Sequence, residues 1–196
     1  MRHRARWVAA IGLAVGLFVV CSCESPSPEK GGENGTDTVS GPVAKAFRHD
    51  LSSDVSGYYL PRGRVQQGDL RLMHLSVGPG FAFDDWEGGQ RSATYGPVMM
   101  VFEDVTAAPV QTELGPQPGV TIRVLPTRYT MTDTGLTFEG TADRLGRVTF
   151  EGRLDQDALA TARRNLGDSE APVLTGDLSI GRQTYRGVTL GWFGGD

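Results

Sequence analysis

Histidine and cysteine are the side chains most often recruited for acid–base, nucleophilic or metal chemistry near neutral pH. This chain is poor in both, with three histidines and two cysteines among its 196 residues. His74 lies within Leu70–Val77 in phase with Leu70 and Leu72, which predicts a hydrogen-bonded imidazole beneath a sheet rather than a general base. His49, in Arg48-His49-Asp50, reads as a surface residue at the entrance to the folded region. The group Asp84-Asp85-Trp86-Glu87, followed by Gly88-Gly89, offers oxygen ligands of the kind calcium takes. The EF-hand spacing is missing, however, and acids beside glycines are ordinary loop composition. No metal and no cofactor is expected, and the Gly-x-Ser-x-Gly elbow, the phosphate loop and the dinucleotide fingerprint are all missing. Carboxylate pairs for glycoside chemistry meet only in space and leave no linear trace. With so few catalytic side chains and no motif, the expectation is a protein that is not an enzyme.

The elements that must position these residues are strands. Val148, Phe150 and Leu154 alternate with Arg147, Thr149, Glu151 and Arg153; Leu136, Phe138 and Ala142 alternate with Thr137, Glu139 and Thr141; Val120, Ile122 and Val124 alternate with Thr121 and Arg123. Period-2 alternation describes strands with one buried and one wet face, as in antiparallel sheets. Further strands are expected at Gly57–Leu60, Leu70–Val77, Val98–Val105, Arg128–Thr132, Val173–Ile180 and Thr184–Phe193. The segment Leu136-Thr-Phe-Glu-Gly140 recurs as Val148-Thr-Phe-Glu-Gly152. This predicts a hairpin with matching phenylalanines on one face and Gly146 in its turn. One helix is predicted over 155–166: Asp155 caps it, Ala158, Leu159, Ala162 and Leu166 form its apolar stripe, and Arg163 and Arg164 close its last turn. The fold class is therefore mainly β, a small antiparallel β-barrel or β-sandwich of about nine strands with that helix before the last two.

Three regions follow from composition. Residues 1–22 combine Arg2, Arg4 and Arg6 with an apolar run from Trp7 to Val20, the pattern of a secretory signal. That run is shorter than the roughly 20 residues a membrane span needs. Residues 23–46 are rich in Pro, Gly, Ser and acid and read as a flexible tether, leaving 47–196 as a single β-rich domain. Both cysteines, Cys21 and Cys23, fall at the signal junction, so that domain holds no thiol and must be stable through its core alone. Loss of the three signal arginines takes the formal net charge from −4 to −7. Such an acidic domain, without a Lys/Arg block, is a poor match for nucleic acid.

The junction Val20-Cys21-Ser22-Cys23 resembles the lipobox of bacterial lipoproteins, with a small residue before the cysteine and an aliphatic three positions ahead of it. The resemblance implies that Cys23 is lipidated and anchors the domain to a membrane of the cell envelope; Cys21 is the alternative acceptor. Glu24 stands where an aspartate would mark retention at the inner membrane in enteric bacteria. In a Gram-negative cell the implied address is therefore the outer membrane, facing the periplasm or the surface. Near the other end, Thr175-Gly-Asp-Leu-Ser-Ile180 and Arg186-Gly-Val-Thr-Leu190 resemble the closing hairpin of YceI-like proteins, exported barrels that bind long isoprenoid or fatty chains. The turn between them reads as Gly181–Tyr185, longer than the family's. Ser56-Gly57-Tyr58-Tyr59 resembles the opening strand of lipocalins, without their Trp.

The leading expectation is a membrane-anchored, non-catalytic protein-interaction or scaffold module with an envelope protein as partner. It predicts a filled core and aromatic contacts among Phe81, Phe83, Trp86, Tyr185 and Trp192. The alternative is a barrel that holds an apolar small molecule or lipid in a cavity lined by Phe138, Val148, Phe150 and Leu178. A second alternative is an enzyme without a recognisable motif.

Overall fold

The alternating segments become strands of one curled sheet. The computed structural model describes residues 46–166 and 171–195; the signal, Cys23 and the tether up to residue 45 lie outside them. The first half of the chain forms β1 (Phe47–Asp50), β2 (Gly57–Pro61), β3 (Gln66–Gln67), β4 (Leu70–Val77), α1 (Gly80–Glu87), β5 (Val98–Asp104), β6 (Val110–Thr112) and β7 (Gly115–Gln117). The second half forms β8 (Thr121–Val124), β9 (Pro126–Thr132), β10 (Gly135–Ala142), β11 (Gly146–Leu154), α2 (Gln156–Arg164), β12 (Leu174–Ile180) and β13 (Gln183–Phe193).

The strands pair in the order β1-β9-β10-β11-β12-β13-β2-β4-β5-β8, with β3 beside β4, while β6 and β7 form a separate hairpin. All pairings along the path are antiparallel except β1 with β9. β8 ends this order and β9 stands next to its other end, beside β1, yet only Leu125 separates the two in the chain. One bent strand therefore serves both ends: its first half pairs with β5 and its second with β10. The bend presses on Gly140, where a Cβ would collide with the Leu125 carbonyl and the Val124 side chain. A single curled sheet rather than two facing ones encloses the core.

The echo pair folds as the sequence implies. Phe138 lies opposite Phe150 and Phe150 opposite Leu178, and Gly146 takes the turn with φ 70°, a conformation that suits glycine. Phe138, Val148, Phe150 and Leu178 are 3% exposed or less. A side chain facing a water-sized space would keep accessible surface, so these four side chains pack in the core; Phe138 and Phe150 also border an outer depression of about 320 Å³ over β10–β12. Gly152 and Gly176 also admit close packing: a Cβ on the first would strike the Phe150 ring, and on the second the Glu151 carbonyl.

α2 begins where Asp155 accepts a hydrogen bond from the Ala158 amide at 2.9 Å, a cap worth about 1 kcal/mol. Leu159 and Ala162 are buried, and Arg163 reaches the Ser56 carbonyl at 3.1 Å and Asp54 at 3.2 Å. The helix thus closes the end of the sheet where β2 starts.

Three local expectations are corrected. The segment around Asp84–Glu87 is not a loop but the helix α1, which starts after Pro79 without a side-chain cap and buries Phe83 and Trp86. Phe47–Asp50 is not merely an entrance but a parallel strand against β9. The last hairpin turns tightly over Gly181 and Arg182, since Ile180 pairs with Gln183.

Candidate functional site

The outer face of β2, β4, β5 and β8 carries a cleft of about 750 Å³. It begins with a bulge. Between Leu72 and His74 the register of β4 against β5 slips by one residue. A bulge of this kind reverses the facing of every later side chain. Leu70 and Leu72, then Leu75 and Val77, all point into the core, and His74 turns outward. The expected placement of His74 beneath the sheet is therefore wrong, because the alternation breaks at Met73.

Cross-strand register sets out the floor. One row runs Tyr58–Ser76–Met99, and the next runs His74–Val101–Arg123. Met73 joins them in lining the cleft. Tyr95, from the loop between α1 and β5, and Gln117 and Pro118, from the end of the β6–β7 hairpin, form walls. Although Met99 and Val101 lie on the outer face, they are only 7% and 6% exposed. The Tyr58 and His74 rings meet edge to face at 5.0 Å, a favoured aromatic arrangement. Burial pushes the His74 imidazole below its ordinary value, so it stays neutral at pH 7. Burial likewise raises the Tyr95 phenol. Beyond the second row, Arg71 and Glu103 pair at 2.6 Å and satisfy each other.

A second cluster joins α1 to β1. His49 Nδ1 lies 2.9 Å from Glu87 Oε1, and its Nε2 lies 3.6 Å from Asp84. The Tyr129 hydroxyl donates to the same Glu87 oxygen at 3.0 Å. Burial, reinforced by this bond to a carboxylate, raises the Tyr129 phenol well above its ordinary value. Phe47 meets the Trp86 ring edge to face at 6.1 Å, and the Arg91 guanidinium lies over both rings, 4.5 Å from Phe47 and 5.9 Å from Trp86. These contacts clamp β1 onto the sheet; His49 is a fastening in the wall, not a free surface histidine. Among the described residues no group of three or more His, Cys, Asp or Glu side chains is gathered so as to hold a metal ion.

The aromatic residues singled out in the sequence scatter. Phe81 is 68% exposed on the first turn of α1, while Phe83 and Trp86 are buried beneath it and offer no surface to a partner. Tyr185 is partly buried and donates to the Gln66 carbonyl at 2.5 Å. Trp192 donates from Nε1 to the Ser56 carbonyl at 2.9 Å, with Arg163 stacked 5.2 Å from its ring. Cys23 lies outside the described residues. The cleft residues Tyr58, Met73, Tyr95, Met99, Val101 and Arg123 were not anticipated as a site. One signal was available: Val98–Phe102 is an unbroken apolar run, the pattern of a strand covered on both faces.

Fold and cleft define a mainly β protein whose curled sheet is covered unequally on its outer side. Compared with known proteins, the chain matches no family model, no curated protein and no solved structure.

Proposed function

We propose that this protein is a lipid-anchored module of the bacterial envelope that acts by binding, and that its site is the outer cleft over β4 and β5. Lipidation at Cys23 and the envelope address rest on the N-terminal lipobox pattern. The observation that carries the binding reading is the cleft of about 750 Å³ with its floor of Met73, Met99 and Val101. Small-molecule sites are concave, mostly apolar and commonly 300–1,000 Å³, and methionine floors adapt to irregular apolar shapes. Because Ser76, Thr94, Gln117 and Thr121 share the lining with these apolar side chains, an amphipathic small molecule or lipid is the occupant the geometry favours, held on the outside of the sheet rather than within it.

Binding of an envelope protein is the second reading. Tyr58 and Leu60 are each 42% exposed and Phe193 39%, and Tyr58 pairs with Phe193 across β2 and β13. They extend the apolar surface beyond the cleft, as protein contact surfaces do.

Native mass spectrometry of the full chain purified from envelopes separates the two. A discrete mass beyond that of the anchored protein, lost on denaturation and reduced by Tyr95→Ala, is the expected result. The bare anchored mass, unchanged after incubation with total envelope lipid, would overturn the small-molecule reading. Crosslinking from position 58 would then identify the protein partner.

A further inference from the structure

We infer that the cleft selects an anionic amphiphile, a small molecule with an aliphatic stem and one negatively charged head group set against Arg123. This rests on the reading of the cleft as a ligand site and adds the chemistry of its occupant.

Of the described residues lining the cleft, Arg123 alone carries a charge, since His74 is neutral and no carboxylate takes part. Arg123 lies directly across from Val101 on the neighbouring strand, so the guanidinium is rooted beside the apolar floor. Nearby cations are spoken for: Arg71 holds Glu103 at 2.6 Å and Arg144 holds Asp104 at 2.7 Å. Arg123 is exposed on β8, and among the described residues it makes no ion pair and no side-chain hydrogen bond. In a chain of formal net charge −4, an uncompensated cation next to a hydrophobic floor is a local reversal of sign.

A guanidinium presents a planar fork of donors suited to carboxylate and phosphate, and its bonds to them are charge-assisted. The stem would lie over Met73 and the Tyr58 ring, which keep accessible surface beside the nearly buried Met99 and Val101, with the head group reaching across the β5–β8 pairing to Arg123. A cationic amphiphile would find the same floor but face Arg123 with no carboxylate to answer its charge. A neutral one would gain the floor alone.

Photolabelling of the full chain in phosphatidylcholine nanodiscs tests this. The probes are alkyl chains of one length, each with a mid-chain diazirine, ending in a carboxylate, a phosphate or an amine. Labelled peptides are mapped by mass spectrometry. The anionic probes are expected to label the peptides containing Met73 and Met99 about tenfold more than the amine, the scale of one charge-assisted contact. Arg123→Lys should keep most of that preference, and Arg123→Glu should reverse it toward the amine. Thermal unfolding of both variants confirms that they are folded. Comparing carboxylate with phosphate tells a fatty acid from a phospholipid-derived ligand. Equal labelling of the cleft by anionic and amine probes would overturn the charge selection while leaving the cleft as an apolar site. Failure of every probe to label the cleft would overturn the cleft as a small-molecule site and the selection with it.

Discussion

The curled sheet has two walls that share an inner core and differ on their outer faces. On β10, β11 and β12 the outward positions are Thr137, Glu139, Thr149, Glu151, Thr175 and Ser179, and Arg147 reaches Glu139 across the strands at 2.9 Å. On β4 and β5 the corresponding positions are Met73, His74, Ser76, Met99 and Val101, covered by Tyr95 and the base of the β6–β7 hairpin. Inward, both walls bury large apolar side chains to the same degree, Phe150 and Leu178 on one, Leu75 and Phe102 on the other. Burial of the core therefore explains the fold of both walls but not the apolar outer face of the second. A sheet needs only one dry face for stability; the second dry face here lies under Tyr95 and the base of the β6–β7 hairpin.

The largest effect is expected where the walls meet. Gly140→Val would drive a side chain into the Leu125 carbonyl, the Val124 methyl and the Phe138 ring, the last 3.0 Å from the new Cβ. Backbone cannot yield as a flexible side chain does, so the cost is about 3 kcal/mol, read as a fall in the denaturant midpoint. A variant as stable as the wild type would mean that the bent strand β8–β9 does not join the two ends tightly.

A milder contrast compares the outer faces directly. Met99→Lys places an ammonium where the native side chain is 7% exposed, and should cost about 2 kcal/mol. Thr149→Lys places the same group opposite Glu139 on the wet wall, and should change stability by less than about 0.5 kcal/mol. Equal effects in chemical denaturation would erase the distinction between the walls.

The two walls were also unequally legible. The wet wall follows strict alternation, and its hairpin, its Phe138–Phe150 pairing and its turn glycine could be read directly. So could α2, because Asp155 caps it and Leu159 and Ala162 lie on one stripe. The dry wall hides its outer layer, since a continuous apolar strand looks the same whether its second face meets a loop, a helix or a ligand. One extra residue in β4 then reversed the facing of His74, and no residue type announces such a bulge. α1 escaped notice for a different reason. Its acids pair with a histidine from β1, so its sequence reads as a polar loop until a distant strand arrives. β1 itself is short and parallel, and only tertiary contact identifies it.

The smallest expected effect separates the walls by pH. His74, on the dry wall, has its imidazole held below the ordinary 6.5 by burial. The unfolded chain therefore takes up that proton before the folded one, and stability falls as pH drops through 6.5. Asp133, in the turn between β9 and β10, accepts hydrogen bonds from the hydroxyls and amides of Ser52 and Ser53. Those bonds, Ser52 first, hold its carboxyl at about 2 against an ordinary 3.8. Its contribution is present above 3.8 and is lost as pH falls from there toward about 2. Melting temperature followed from neutral to strongly acid pH should then decline in two separate windows. His74→Gln should flatten the upper decline alone, and Asp133→Asn should shrink the lower one without removing it, because Asp104 on β5, held at about 2 chiefly by its hydrogen bonds with Thr106 and Arg144, shares that window. A single decline that neither substitution alters would show that acid acts on the sheet as a whole, with no difference between its walls.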